Sequence, residues 1–106
     1  MPVRTRFHGR LKPELGQVVS LSMQDHYVEV TCENGTDLIL MRLSDAIAEL
    51  DGLKGLRTHR SHWVALEAVK GVERNGAKLK VILKGGRVLP VSATYADHVI
   101  AVTPDD

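Results

Sequence analysis

The sequence predicts a mostly β domain of short antiparallel strands, with one two-turn helix near its middle and a short helix towards its C-terminal end. Three observations carry that expectation. Short segments alternate polar and apolar side chains, the period of a half-buried strand. Three Gly-containing turn signals, Asn34-Gly35, Asn75-Gly76 and Gly85-Gly86, divide them. One stretch, Leu43, Ala46, Ile47 and Leu50, switches to the i, i+3, i+4, i+7 spacing of a helix face.

In chain order, Pro2, Gly9, Pro13 and Gly16 interrupt the start, so residues 1–14 are expected to form a basic arm or linker ahead of a domain over 15–106. Residues 18–23 are dense in β-formers, and the polar break Gln24-Asp25-His26 follows. Residues 27–32 alternate, with Tyr27, Glu29 and Thr31 on one face and Val28, Val30 and Cys32 on the other. After the Asn34-Gly35 turn, residues 37–41 return. The helix over 43–50 is expected to be capped from Ser44 or Asp45 and to end before Gly52. At two turns it depends on packing for its stability.

Residues 56–59 and 63–66 read as strands around a second polar break, Arg60-Ser61-His62. Tyr27 and Trp63, each next to a break, are expected to anchor it in the core. Residues 69–74, 78–83 and 87–91 complete the strands, with Pro90 marking an edge or a strand end. Ser92 is placed to cap the closing helix over 93–99.

Composition narrows the function. The chain has 106 residues, 43% of them hydrophobic, enough for one domain with its own core. The single cysteine, Cys32, excludes an internal disulfide and fits a reducing compartment. No apolar run reaches the ~20 residues of a membrane span. The net charge of +1 hides segregation: residues 1–13 carry +4, 14–51 carry −7, 52–87 carry +7 and 88–106 carry −3. Such segregation can put a basic face on a nearly neutral molecule.

No catalytic or cofactor motif stands out. There is no phosphate-binding Gly-rich loop and no Gly-x-Ser-x-Gly elbow. His59 and His62 lie three apart, but Cys32, His26 or a distant acid would have to complete a metal site at no recognisable spacing. Cys32 shares a face with Val28 and Val30 and reads as core. The expectation is a protein that is not an enzyme and takes no cofactor or metal. The breaks around 24–26, 59–62 and 92–94 are rich in groups that bond phosphates and base edges.

Taken together these segments resemble the LytTR family of bacterial DNA-binding domains. The matching pieces are residues 22–28, Ser-Met-Gln-Asp-His-Tyr-Val; the helix over 43–50; residues 59–64, His-Arg-Ser-His-Trp-Val; and residues 89–92, Leu-Pro-Val-Ser. The resemblance implies an elongated domain of roughly ten short strands in small antiparallel sheets. It implies sequence-specific binding of double-stranded DNA by loops in successive major grooves, in the service of transcription regulation. Gln24 and His26 then belong to a first recognition loop. His59, Arg60 and Ser61 belong to a second, and Ser92, Ala93 and Thr94 to a third. The family often has Arg where this chain has Ala93. Arg57, Lys78 and Lys80, with Lys54, Lys84 and Arg87, are candidates for sequence-independent attraction. The resemblance also implies a cytoplasmic bacterial protein, and it leaves open whether one copy binds or a homodimer binds on paired half-sites. Two arrangements stay open: a piece of a longer parent controlled by an upstream receiver, sensor or membrane segment, or a compact regulator controlled by a partner. The alternative is a β-rich protein-interaction module that keeps the fold without recognising DNA.

Overall fold

The computed structural model describes residues 5–102. Its elements are β1 (Val18–Gln24), β2 (Tyr27–Cys32), β3 (Gly35–Leu40), α1 (Leu43–Glu49), β4 (Gly55–His59), β5 (His62–Ala65), β6 (Val69–Asn75), β7 (Lys78–Leu83), β8 (Val88–Val91) and α2 (Ala93–Val102). Eight strands thus stand among the described residues, in two antiparallel sheets of order β3-β2-β1-β5-β4 and β6-β7-β8. The long axis is 39 Å against 22 Å for the shortest.

Alternation decides which face each strand buries. Val28, Val30 and Cys32 of β2 join Leu21, Trp63 and Ala65 in a first core, closed by Leu43, Ala46 and Leu50 from the α1 region. The neighbouring residues of β4 and β5, Leu56 and Val64, point the other way. They form a second core with Val81, Leu83 and Leu89 of the small sheet and Val99 of α2. β5 is therefore buried on both faces, which is why Trp63-Val64-Ala65 has no polar position. Gly55 makes room for Trp63: a Cβ there would collide with the indole ring and stand 2.6 Å from the Val64 carbonyl oxygen.

Four local expectations are corrected. The segment read as an arm packs onto the domain from residue 5 onward: Phe7 and Leu11 are buried in the first core. Arg10 donates to both carboxylate oxygens of Glu49, at 2.6 and 2.8 Å. A cluster of arginines disguised a two-residue apolar anchor. The turn expected at Asn34-Gly35 falls on Glu33-Asn34, with Gly35 already in β3 opposite Cys32. Residues 14–17 fix it, because Glu33 and Asn34 donate their N–H groups to the carbonyls of Gln17 and Leu15. The turn expected at Asn75-Gly76 falls on Gly76-Ala77, with Gly76 at φ 65°. Helix α1 starts one residue before Ser44, with Arg42 as its extended N-cap residue, so neither Ser44 nor Asp45 caps it.

Trp63 anchors its turn as expected, but Tyr27 does not: it remains 46% exposed. That face of β2 lies beyond the second core, to which the five-stranded sheet contributes Leu56, Val64 and Val19. Tyr27, Leu38 and Leu40 are left outside it. Pro90 sits in β8, the end strand of the small sheet, where a missing N–H costs no ladder bond.

Candidate nucleic-acid interface

Two hairpins and a helix start reach the same end of the five-stranded sheet. β1 and β2 close with Gln24 paired to Tyr27 around the turn Asp25-His26. Asp25 takes a left-handed φ of 56°, a conformation that Asp tolerates better than most side chains. The tight turn leaves Gln24, Asp25 and His26 exposed.

β4 and β5 close with His59 paired to His62 around Arg60-Ser61. This turn lies against the end of β1, because Ser22 pairs with His62 and the Met23 N–H donates to the Ser61 carbonyl at 2.9 Å. Within it the Ser61 N–H donates to His59 Nδ1 at 3.2 Å, so His59 shapes the turn. Ser22 Oγ and His62 Nδ1 are 2.8 Å apart, and the two histidine rings stand 5.4 Å centroid to centroid. Burial holds the His62 imidazole below the ordinary histidine range, and the charges of His59 and Arg87 push it the same way. Arg60 is exposed.

The start of α2 is tied alongside. Ser92 donates its N–H to the Thr58 carbonyl at 2.8 Å, which sets Ala93 and Thr94, both exposed, next to the second turn. The three breaks named from the sequence thus share one rim, in the order 25–26, 60–61, 92–94.

The remaining candidates divide. Lys78 opens β7, and Leu79 pairs with Val91, so Lys78 lies at the end of the small sheet nearest Ser92. Lys80 lies two residues further in, exposed and opposite Glu73 in the strand register. Arg57 sits beneath the second turn with its guanidinium 3.5 Å from the Arg60 carbonyl, so it supports the turn instead of projecting from it. Lys54 precedes β4, Lys84 follows β7 and Arg87 precedes β8, each at the strand end away from the rim. Arg87 is moreover bound to Thr31 Oγ1 at 2.7 Å. Arg42, which the sequence reading did not single out, emerges at the rim after β3. Its signal was that it is the one basic residue of the acidic stretch 14–51.

Among the described residues no three His, Cys, Asp or Glu side chains cluster as metal ligands. Cys32 is buried, and desolvation first, then Asp37 and Glu33, push its thiol up to about 11. A cleft of about 490 Å³ lies at the far end of the sheet between Glu33, Glu67, Lys84 and Arg87. Among the described residues no helix is long and apolar enough to cross a membrane.

A rigid β scaffold presenting three adjacent polar turns is a common basis for recognition. The chain belongs to the LytTr DNA-binding domain family, whose model matches residues 10–102, and it is thereby a DNA-binding domain of the kind used in transcription regulation. Among solved structures it is similar to the LytTr DNA-binding domain of a Bacillus cereus protein described as a methyl-accepting/DNA response regulator. That match has a TM-score of 0.73 at 23% identity and covers 95% of each chain. No curated protein matches the chain.

Proposed function

We propose that this domain binds double-stranded DNA sequence-specifically, the turns around His26, Arg60 and Ala93-Thr94 entering successive major grooves, and that it serves a bacterial transcription regulator. The observation that carries this is the pair of backbone bonds, Met23 to Ser61 and Ser92 to Thr58, that locks the three turns to one rim. Arg60 supplies the planar fork that reads guanine or clamps a phosphate. Gln24 has the donor and acceptor for an adenine edge, and His26 donates to a base or phosphate. Ser61, Ser92 and Thr94 offer hydroxyls to the backbone. His59 and Arg57 hold the second turn in shape, while Lys78 and Lys80 add charge. Ala93 reads by contact alone.

Selection from a random duplex library, followed by a salt titration on the recovered sequence, tests this. A recovered motif with a log–log slope of about −0.9 per phosphate contact is expected. Arg60→Ala should cost roughly 1–3 kcal/mol and relax the base preference at one position. Failure to bind any duplex at low salt would overturn the reading. Paired half-sites spaced by about 10 base pairs would support two copies on DNA. Control by an upstream receiver, sensor or membrane segment, in the cytoplasm, belongs to the same proposal.

A second reading, a protein-interaction module, is favoured by one observation. Tyr27, Leu38 and Leu40 form an exposed apolar face on β2 and β3, and β3 is an end strand. A protein partner retained at high salt, with no DNA retained, would favour it.

A further inference from the structure

We propose that Arg42 is an additional DNA contact, gripping a backbone phosphate from the corner between β3 and α1. This rests on the DNA-binding reading above and adds a fourth point to it. The strand register makes the placement. Tyr27 pairs with Gln24 on one side and with Leu40 on the other, so the end of β3 lies beside the first turn. Two residues later Arg42 emerges there. Met23, Asp25, His26, Leu40, Met41 and Arg42 line one hollow of about 320 Å³, with apolar side chains from three of them.

The state of the guanidinium is the second observation. Among the described residues Arg42 is exposed and its side chain makes no hydrogen bond or ion pair. Other arginines are engaged: Arg6 and Arg10 reach Glu49, and Arg87 reaches Glu29 and Thr31. The backbone of Arg42 is nevertheless fixed, because its carbonyl accepts the Ala46 N–H at 3.0 Å. A planar, permanently charged fork on a fixed backbone, beside a turn that enters a groove, is suited to a phosphate oxygen pair. Asp25 shares the hollow and repels an anion, so the phosphate is expected on the Arg42 side of it, away from the turn tip. This contact positions the first turn and carries no base information.

The test uses the full chain and a duplex recovered by random-library selection, with dissociation constants measured across a salt series. For Arg42→Ala the expected result is affinity lower by roughly 3- to 10-fold at low salt, a slope shallower by about 0.9, and an unchanged order of preference among duplexes. Arg42→Lys should keep the slope. Arg42→Gln removes the charge while keeping much of the length, and carries the test if the alanine variant does not fold. Unchanged slope and affinity in the charge-removed variants would overturn the proposal, as would a changed base preference. A wild-type chain that binds no duplex would overturn the DNA-binding reading itself, so the two failures are distinct.

Discussion

The Ser92 N–H meets the Thr58 carbonyl oxygen at 2.8 Å, joining the start of α2 to an edge strand of the other sheet. This one bond turns a two-sheet protein into a three-turn rim. Thr58 is itself fully buried, and its Oγ1 has no hydrogen-bond partner among the described residues. A buried hydroxyl without a partner costs about 1–3 kcal/mol. Thr58→Val keeps the shape and the backbone bond while removing that cost. Chemical denaturation should therefore show the valine variant more stable by about 1 kcal/mol, with DNA affinity unchanged. A loss of stability would mean that the hydroxyl is satisfied, by water for instance.

Phe7 is fully buried, and its N–H donates to the Glu49 carbonyl at 3.2 Å. Truncating a buried Phe usually costs about 3–5 kcal/mol, a large share of a small domain's stability. Phe7→Ala should lower the melting temperature sharply, whereas Lys12→Ala, on an exposed side chain, should leave it unchanged. A dispensable arm would give equal melting temperatures for both.

These residues also mark what the sequence could and could not tell. Strands and helices were legible because the β2 alternation and the α1 spacing are local patterns imposed by one core each. The three polar turns were legible because Gln24, Arg60 and Ser92 interrupt those patterns with groups that have no place in a core. What was hidden depends on contacts distant in sequence. Leu15 and Gln17 move the Asn34 turn by one residue, and Glu49 collects the basic charges that made residues 1–14 look detached. Tyr27 looked like an anchor, but the second core draws on β1, β4 and β5 and leaves the Tyr27 end of β2 exposed. Arg42 went unnoticed because nothing in its own segment says that β3 ends beside His26.

The histidine pair makes stability depend on pH in a definite direction. Burial, then His59, then Arg87 hold the His62 imidazole below its usual range. The unfolded chain takes up that proton near pH 6.5, while the folded chain does so only at lower pH. Across this window the unfolded state binds more protons, so stability rises with pH through it and falls as the solution is acidified below about 6.5. Melting curves from about pH 7.5 to about 5.5 should show a decline for the wild type and a shallower one for His62→Asn. Equal declines would remove His62 as the cause.

The third turn offers a gain-of-function experiment. Ala93 is exposed, is the first residue of α2 and follows Ser92. As it stands the turn has hydroxyls at Ser92 and Thr94 but no cation, and the nearest basic residue along the small sheet is Lys78. Ala93→Arg adds a fork that can reach a phosphate or a guanine edge. If it reaches a phosphate, the salt slope steepens by about 0.9 and affinity rises for all duplexes alike. If it reaches guanine, one base pair gains roughly 1–3 kcal/mol of discrimination. The opposing effect is small, since a cation at a helix N-terminus costs about 0.3–1 kcal/mol of folding stability. Melting and binding should therefore move in opposite directions, the variant melting slightly lower and binding more tightly. An arginine at this position that leaves both slope and preference untouched would mean that the start of α2 stands clear of the duplex, leaving recognition to the turns at His26 and Arg60.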